Sequence, residues 1–446
     1  MQRCYDNQEE TLNLSYTNAV SVPEQVTVLT HLKTLEFNYN SLINIPDDIF
    51  VLTQLKSLIW GNSLLTLSPA ISQLQQLEHL NLSPNKLTQL PQELSALTNL
   101  TTFNTRLNPI EQLPEGFFSL TQLQELYMSA NALKNIPAAI GSLTGLRVLS
   151  MSDNKITELP YSLGALTALQ VLNLGNNKFE HLPESVFTLT NLHKLIIIDN
   201  ALHDFEGAAQ LRLTKLSFGR SRADPSARPL KSFPTSFLQI TSLYHLELLH
   251  TGIGAIPEEF HQLSRLTYLE VSYNRLTTLP ASFSKLISLV NFFASGNRFT
   301  QIPAALMELT NLESLTLSEN SIQEIDSRIS RLVRLSQLSL NDNSMRHVSP
   351  MLNRCEQLSV LNLSKNKLHT LPVEIGGLKN MRFLSLRHNP LSVVPTSVGF
   401  LTNLRLVRFE KSKFPKKVIT NRFYFEQFVV HNDLYEHDDY GDVVVS

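Results

Sequence analysis

Apolar and polar positions alternate along this chain in a pattern that returns every 23 residues. A clear copy is the stretch 146–160, which reads LRVLSMSDNKITELP. With the second leucine of this stretch as the marker, Leu149 is followed by Leu172 and Leu195 at equal intervals. A fixed period of this size indicates a solenoid, in which one short structural unit is repeated and stacked on itself.

The pattern can be followed through 18 repeats, and most intervals between markers are 23 residues. The interval from Leu58 to Leu80 is one residue shorter, that from Leu195 to Leu216 is two shorter, and that from Leu216 to Leu246 is seven longer. The longer interval indicates an insertion in repeat 10. The markers of repeats 1 to 18 are Leu12, Leu35, Leu58, Leu80, Phe103, Leu126, Leu149, Leu172, Leu195, Leu216, Leu246, Leu269, Phe292, Leu315, Leu338, Leu361, Leu384 and Val407.

Two kinds of element are predicted in each repeat. The L-x-L alternation is typical of a short strand whose leucines point inward and whose other side chains lie on the outer sheet face. After the closing Leu-Pro, apolar residues are spaced by three, which favours a short helical or 3-10 turn on the opposite side. The predicted fold class is therefore α/β, a curved horseshoe-shaped solenoid with a parallel sheet on its concave face.

The repeat sets the expected domain organisation. Residues 1–11 form an N-terminal cap segment and residues 12–415 the solenoid, with an insertion at 219–229. Residues 416–430 concentrate aromatic side chains and are predicted to cap the last repeat, and the acidic residues 431–446 are expected to form a mobile tail.

The composition limits the class of partner and the expected location. A formal net charge of −2 gives no bulk attraction to nucleic acid, and no apolar run is long enough to insert into a membrane. There are only two cysteines and no apolar run typical of a signal peptide, so we expect a cytoplasmic protein.

An asparagine recurs after the strand of most repeats. An amide turned inward among leucines costs about 1–3 kcal/mol if it stays unpaired, so each is predicted to bond the backbone of its own and a neighbouring repeat. We interpret the column as structural, with Thr17, Ser63, Thr251 and Ser412 as smaller substitutes. The asparagines are Asn40, Asn85, Asn108, Asn131, Asn154, Asn177, Asn200, Asn274, Asn297, Asn320, Asn343, Asn366 and Asn389.

The motif L-x-x-L-x-L-x-x-N-x-L-x-x-L-P, followed by a segment with L-T-x-L, resembles the 23-residue intracellular leucine-rich repeats over about residues 9–415. Similar arrays occur in erbin- and scribble-type scaffolds, in Ras-binding and Ras-suppressor proteins, in plant intracellular Ras-group-related proteins and in bacterial effectors. The resemblance implies protein binding on the concave face, with a small GTPase or other signalling protein as one implied partner class. It implies no cofactor.

The sheet face of repeats such as 7 and 14 carries small polar side chains, and that of repeats 9 to 13 differs. They place apolar, aromatic and charged side chains at positions that should face water, which indicates a site for a partner protein. The predicted partner-binding residues are Lys194, Ile196, Ile198, Asp199, Arg220, Arg222, Arg228, His245, Glu247, Leu249, His250, Tyr268, Glu270, Tyr273 and Phe293.

Two readings of the insertion stay open from the sequence. Because long loops often carry function, its arginines are expected to belong to the partner site. Alternatively the loop packs onto Ile196, Ile198 and Leu249 and covers them. Two weaker surfaces are a basic one, with Phe383, Arg387, His388, Arg408 and Lys411, and an N-terminal one, with Tyr16, Tyr39 and Ile59.

We expect no catalytic residue and no metal site. The sequence leaves two alternative functions open. One alternative is a bacterial effector delivered into a host cell by a specialised secretion system, because the acidic tail ends in Val443, Val444, Val445 and Ser446. A weaker one is a metal-dependent enzyme using His245, Glu247 and His250. Cys355 stands where other repeats have leucine and is predicted to be a buried, unreactive side chain.

Overall fold

The computed structural model of the protein describes residues 8–202, 207–222, 229–230 and 232–408. The predicted cap at 416–430, the acidic tail, Arg228, Lys411, Ser412 and most of the insertion lie outside these residues. The chain divides into two compact units, of which the first extends to Gly252 and the second begins at Ile253. Each unit is described by itself below.

The first unit contains a parallel sheet with one short strand for each of repeats 1 to 11. Strands that follow one another in sequence are neighbours in the sheet, and their marker residues lie opposite each other, as Leu126, Leu149 and Leu172 do. The strands are β1 Thr11–Asn13, β2 Thr34–Glu36, β3 Ser57–Ile59, β4 His79–Asn81, β5 Thr102–Asn104, β6 Glu125–Tyr127, β7 Val148–Ser150, β8 Val171–Asn173, β9 Lys194–Ile196, β10 Lys215–Gly219 and β11 His245–Leu249.

The second unit repeats this arrangement for repeats 12 to 18. Its main parallel sheet contains β12, β13, β14, β16, β18, β19 and β20 in that order, while β15 and β17 pair separately. The strands are β12 Tyr268–Glu270, β13 Asn291–Phe293, β14 Ser314–Thr316, β15 Glu324–Ile325, β16 Gln337–Ser339, β17 His347–Val348, β18 Val360–Asn362, β19 Phe383–Ser385 and β20 Leu406–Arg408.

Short turns of 3-10 helix follow the strands, and most begin after the proline of the Leu-Pro pair. The prolines are the capping residues and have extended backbone, as at Pro91 with φ −71° and ψ 149°. One turn is α-helical, α1 Glu184–Phe187. The 3-10 turns are Glu24–Val26, Asp47–Val51, Pro69–Gln73, Gln92–Ala96, Glu115–Ser119, Ala138–Ser142, Tyr161–Ala165, Ala208–Gln210, Thr235–Gln239, Glu258–Gln262, Ala281–Lys285, Ala304–Glu308, Ser327–Arg331, Pro350–Arg354, Val373–Gly377 and Thr396–Phe400.

The core of each unit is formed by the leucine columns between the strands and the turns. The central residue of each three-residue strand of the main sheets except β20 is buried, as in Leu149 of β7 and Leu315 of β14, while the first residue of most of these strands is partly or fully exposed. The predicted solenoid, with a parallel sheet on one face and short helical turns on the other, is confirmed.

The asparagine column is also confirmed as a structural ladder. Asn154 Nδ2 donates to the carbonyl oxygens of Met128 (2.9 Å), Met151 (3.1 Å) and Ser152 (3.1 Å), and its Oδ1 accepts from the amide of Leu133 (3.0 Å). Met128 and Leu133 belong to the preceding repeat. Each asparagine therefore satisfies backbone groups on both sides of one junction between repeats.

Repeat 3 departs from the prediction. Ser63 was expected to take the asparagine position, but Asn62 occupies it, accepting a hydrogen bond from the Asn40 amide and donating to the Phe37 carbonyl. The interval from Leu58 to Leu80 is one residue short, and the structure places that deletion ahead of the asparagine. The asparagine therefore comes one residue earlier in this repeat.

A second set of asparagines, which the sequence analysis missed, lies on the turn side. Asn191 Nδ2 donates to the Thr167 carbonyl oxygen at 2.9 Å, 24 residues earlier in the chain. The same bond is made by Asn99, Asn311, Asn380 and Asn403. These side chains are exposed and join successive repeats opposite to the sheet.

The residue before the ladder asparagine has left-handed backbone in most repeats. Examples are Ala130 with φ 55°, Asp153 with φ 57° and Glu319 with φ 52°. Side chains with a Cβ rarely adopt this conformation, because it costs about 1–2 kcal/mol relative to ordinary helical backbone. This unfavourable backbone conformation recurs at the edge of the sheet in most repeats. The sequence pattern alone did not predict it.

Candidate functional site

The predicted binding residues fall in both units and form two groups, which are described separately. The first group, the repeat 9–11 cluster, is defined by Lys194, Ile196, Ile198, Asp199, Arg220, Arg222, His245, Glu247, Leu249 and His250. It lies on and beside β9, β10 and β11. Lys215 pairs with Lys194 on one side and His245 on the other, and Ser217 pairs with Ile196 and Glu247. The parallel register thus brings residues from three separate stretches onto one sheet face.

Glu247 is the electrostatic centre of this cluster. Its Oε1 accepts hydrogen bonds from Lys215 Nζ at 3.0 Å and His245 Nε2 at 2.5 Å, and Ser217 also bonds the carboxylate. Burial raises the pKa of Glu247, but the bonds from His245, Ser217 and Lys215 and the lysine charge outweigh it and lower the pKa to about 2. Ser217 had not been recognised from the sequence, although its strand position faces the same way.

Ile196, Ile198 and Leu249 lie on or beside the same three strands as this polar group, and all three are partly exposed. On most strands of the first unit the equivalent positions hold small or polar residues such as Ser150 and Asn173. Apolar side chains beside a carboxylate that already has its hydrogen-bond partners make a surface of mixed apolar and charged character.

Both ends of the insertion are anchored on repeat 11. Gly219 has φ 113°, and a Cβ there would lie 2.0 Å from the Leu249 carbonyl oxygen, so only glycine fits. The Arg220 amide donates to the same oxygen at 2.7 Å, and the Ser221 amide donates to Asp199 Oδ1 at 2.7 Å. At the other end Pro229 packs against Gly252, where a Cβ would meet the proline ring at 2.4 Å.

The anchored ends leave an open cleft in the first unit where the asparagine ladder lacks a member. The cleft is small and is lined by Asn200, Phe218, Arg220, His250 and Thr251, among others. Burial lowers the pKa of His250, and the negative charge of Asp199 opposes this. Arg222 is exposed at the start of the insertion. Whether the rest of the loop covers the isoleucines depends on residues 223–228, which lie outside the described ranges.

The second group, the repeat 12–13 cluster, consists of Tyr268, Glu270, Tyr273 and Phe293 on and beside β12 and β13. The rings of Tyr268 and Phe293 have centroids 5.2 Å apart and are tilted by 41°. Glu270 pairs with Phe293 in the sheet, and its Oε1 accepts from the Ser272 amide at 3.0 Å. Tyr268, Glu270 and Phe293 therefore lie side by side on adjacent strands.

Tyr273 lies at the left-handed position of repeat 12 and is 40% exposed. Its ring lies over Gly296, and its hydroxyl donates to Glu319 Oε1 at 3.1 Å, two repeats further along. A Cβ on Gly296 would lie 2.3 Å from the tyrosine ring. Because Gly296 in repeat 13 has no side chain, the Tyr273 ring can lie flat along the edge of the sheet.

The described residues include parts of the basic surface and of the N-terminal surface. In the second unit the guanidinium of Arg408 lies over the Phe383 ring, 5.6 Å from its centroid. In the first unit the rings of Tyr16 and Tyr39 stack with centroids 4.5 Å apart.

The structure gives no support to a catalytic arrangement in the part of the chain that it describes. His245 bonds Glu247, but these two and His250 do not form a metal-binding group, and no group of three or more histidine, cysteine, aspartate or glutamate side chains in the described ranges could hold an ion. Cys355 is fully buried, and burial raises the pKa of its thiol to about 12. Within the described residues no helix is both long and apolar enough to span a lipid bilayer.

These features define a solenoid of short parallel strands and 3-10 turns with an inward asparagine ladder. The chain belongs to the leucine-rich repeat family: the family described as leucine-rich repeat region matches residues 66–152, 134–218 and 234–353, and a second leucine-rich repeat family matches residues 349–391. Proteins of this fold commonly mediate protein–protein interactions and are typically non-catalytic.

Comparison with the curated proteins finds no match. Among solved structures, a leucine-rich repeat protein of Leptospira interrogans is 28% identical, with a TM-score of 0.73, and the match covers 92% of this chain and 98% of that one. The ectodomain of the plant receptor kinase GASSHO1/SCHENGEN3 from Arabidopsis thaliana, in complex with CASPARIAN STRIP INTEGRITY FACTOR 2, is 26% identical with a TM-score of 0.57. That match covers 91% of this chain and 56% of the receptor chain.

Proposed function

We propose that this protein is a non-catalytic interaction module that captures a partner protein on the sheet faces carrying the repeat 9–11 and repeat 12–13 clusters. The observation that carries the proposal is the change in character of the sheet face. Ile196, Ile198 and Leu249 in the first unit, and Phe293 in the second, are partly exposed where most other repeats present small or polar residues, and the ring of Tyr268 lies beside that of Phe293. Exposed apolar patches mark interaction sites, and aromatic side chains such as tyrosine are enriched among the residues that dominate binding energy in protein interfaces.

The charged residues of the clusters indicate the chemical character of the partner surface. Glu247 is ionised and already hydrogen-bonded, so a partner has to approach it with neutral donors or leave its bonds intact. Arg222, which is exposed at the start of the insertion, offers its guanidinium group to a carboxylate of the partner. The partner surface that fits is apolar at its centre and acidic at the edge that faces the insertion.

The comparisons support binding of a protein in general. The Arabidopsis receptor ectodomain was solved in complex with a factor that it binds, and it shares 26% of its aligned residues with this chain. The resemblance to erbin-, scribble- and Ras-suppressor-type repeats leads us to propose a cytoplasmic signalling protein, such as a small GTPase, as the first partner class to examine.

The proposal is tested by two variants, one for each cluster, in affinity capture from the native cell followed by mass spectrometry. The first is Ile196→Ser, Ile198→Ser and Leu249→Ser, and the second is Tyr268→Ala, Tyr273→Ala and Phe293→Ala. Each should reduce the yield of the captured partner at least tenfold while the thermal transition of the protein changes little. A control variant, Thr102→Ala, Thr316→Ala and Ser339→Ala, alters the bland sheet face and should capture normally. Undiminished capture by both cluster variants would exclude these faces.

The second proposal is a bacterial effector delivered into a host cell. It is favoured by the 28% identity to a protein from the bacterium Leptospira interrogans over nearly the full length of both chains. A reporter enzyme fused to residues 416–446 should reach the host cytosol in an infection assay, and a reporter fused to residues 385–415 should not. Equal transfer of both fusions, or of neither, contradicts the proposal.

A further inference from the structure

Large apolar side chains are exposed more often in the first three repeats than elsewhere in the described residues. Of the 17 exposed large hydrophobic residues there, seven lie between Tyr16 and Leu65. Single exposed leucines or valines are ordinary on protein surfaces and need no explanation. A concentration in three neighbouring repeats is different, because the residues can form one continuous surface.

Three of these residues occupy the same position in successive repeats. Val20, Ile43 and Leu65 each directly follow the apolar residue after the asparagine turn, and their side chains are 78%, 62% and 57% exposed. Backbone hydrogen bonds next to them fix this alignment, with Ser41 N donating to Ala19 O at 2.9 Å and Ser63 N to Leu42 O at 3.1 Å. We call Val20, Ile43 and Leu65 the N-terminal strip.

The strip has no counterpart in the following repeats. Repeats 4 to 8 place exposed polar residues at the equivalent position, namely Thr88, Glu111, Lys134, Thr157 and Glu180. The pair Glu111 and Lys134 even forms an ion pair between adjacent repeats at 3.4 Å. The fold therefore does not require apolar residues here. The stacked rings of Tyr16 and Tyr39, 71% and 57% exposed, add aromatic surface in the same two repeats as Val20 and Ile43.

Acidic residues outnumber basic residues around the N-terminal strip. Residues 8–70 contain six acidic residues but only two lysines and no arginine. Lys33 pairs with Glu10, and Lys56 pairs with Glu78 at 2.6 Å. Glu24, Asp47 and Asp48 are exposed at the start of the 3-10 turns that follow Val20 and Ile43. A partner segment therefore has to combine apolar side chains with lysine or arginine.

The distance between successive side chains of the N-terminal strip favours one conformation of the partner segment. Neighbouring parallel strands lie about 4.8 Å apart, so the three side chains recur at about that interval. One turn of an α-helix rises 5.4 Å, and residues three or four apart on one face are about 5–6 Å apart. In an extended strand, residues on one face recur at nearly 7 Å, which does not match. A helix lying along the strip can place one apolar side chain against each repeat.

We infer that the N-terminal strip, with the acidic residues beside it, is a docking surface for a basic amphipathic helix of a partner protein. This surface shares no residue with the repeat 9–11 and repeat 12–13 clusters. The N-terminal strip is therefore an interaction surface in addition to the two clusters, and its loss should leave both clusters intact.

The test uses a labelled 18-residue synthetic helix with leucines along one face and lysines on the other, titrated with the full-length protein and followed by fluorescence anisotropy. Two control peptides have the same leucines shuffled off the face, or glutamate in place of every lysine. The amphipathic basic peptide should bind at least tenfold more tightly than either control. Its affinity should also fall as salt is raised, because exposed charges are screened.

Two variants then locate the site. Val20→Ser, Ile43→Ser and Leu65→Ser should weaken binding at least tenfold, and Glu24→Gln, Asp47→Asn and Asp48→Asn should weaken it and reduce its salt dependence. The matched control Tyr161→Ser, Ile287→Ser and Val373→Ser removes three equally exposed side chains elsewhere and should bind normally. All three variants change exposed residues, and unchanged thermal transitions will verify their folding.

Several outcomes overturn the inference. They are absence of binding, equal binding of all three peptides, and normal binding by the strip variant. A wild-type dimer that becomes monomeric in the strip variant, measured by sedimentation, would show instead that a second copy of the chain occupies this surface. None of these results affects capture by the two clusters, so failure here is distinguishable from failure of the proposed function.

Discussion

The hydroxyl of Tyr273 donates a hydrogen bond to Glu319 across the backbone of Gly296, joining repeats 12 and 14 on the edge of the sheet. The three residues occupy equivalent positions in successive repeats and all have left-handed backbone. The tyrosine can reach its partner only because the residue between them has no side chain. This arrangement fixes the ring of a proposed binding residue before any partner arrives.

Substitution of Gly296 should disturb this arrangement. In Gly296→Ala the new Cβ would lie 2.3 Å from the Tyr273 ring at a φ of 60°, so the ring has to move and the backbone is strained. We expect a loss of about 1–2 kcal/mol from the free energy of unfolding of the second unit, measured by hydrogen exchange of its amides. Gly254→Ala is the control, because nothing lies within 4 Å of its Cβ position. Equal effects of the two substitutions contradict the prediction.

The two asparagine sets should differ in their contribution to stability. Asn154 is buried and makes four hydrogen bonds with backbone groups, so Asn154→Ala leaves several of them unpaired and should cost about 3 kcal/mol or more. Asn191 is exposed and its side chain donates one bond, so Asn191→Ala should cost about 1 kcal/mol or less.

Both asparagines belong to the first unit, whose unfolding can be followed through the protein's only tryptophan, the buried Trp60. Urea titrations monitored by its fluorescence give the free energies for wild type and both variants. A smaller loss in Asn154→Ala than in Asn191→Ala would show that the inward ladder is not the stronger set.

Acid should weaken the first unit through Glu247. The pKa of this carboxyl is lowered from 4.5 to about 2 in the folded protein, so the ionised form is favoured by folding. The resulting stabilisation is present above pH 4.5 and is lost as the pH falls toward 2, and it amounts to about 3 kcal/mol at most. In Glu247→Gln this part of the pH dependence should be missing. Glu93→Gln, at an exposed turn, should retain it. Trp60 fluorescence between pH 2 and 6 supplies the comparison.

Ala130 offers a test of the left-handed position. Its φ of 55° disfavours any residue with a Cβ, so Ala130→Gly should stabilise the first unit by about 0.5–1 kcal/mol despite the greater freedom of glycine when unfolded. The same change at exposed Ala139, within the turn Ala138–Ser142, should instead destabilise it by about 0.5–1 kcal/mol. Shifts of the same sign in both variants would mean that the left-handed backbone carries no strain.

The periodic pattern was enough to predict the fold, because the leucine and asparagine columns are local consequences of one repeating unit. It also predicted that residues such as Ile196 and Glu247, 51 positions apart, share a sheet face. Ser217 between them was overlooked because a lone serine gives no signal until its neighbours are known. The shift from Ser63 to Asn62 could have been found from the shortened interval, which did not by itself show where the residue was lost.

Features that depend on the exact geometry between repeats could not be predicted from the sequence. The outward Asn191 bond requires knowledge of where a carbonyl 24 residues earlier points. The clearance of Tyr273 over Gly296 depends on the left-handed backbone at both residues. The N-terminal strip was visible as three separate apolar residues, but only their exposure distinguishes it from part of the core.

The inward asparagines all act in one direction. Asn154 bonds groups of the repeat before it, at Met128 and Leu133, and Asn177 does the same to Met151 and Ile156. Each of these two repeats therefore receives polar contacts for its backbone from the repeat that follows it in the chain. A truncation that ends the chain after a given repeat would leave the backbone groups of that repeat without their asparagine.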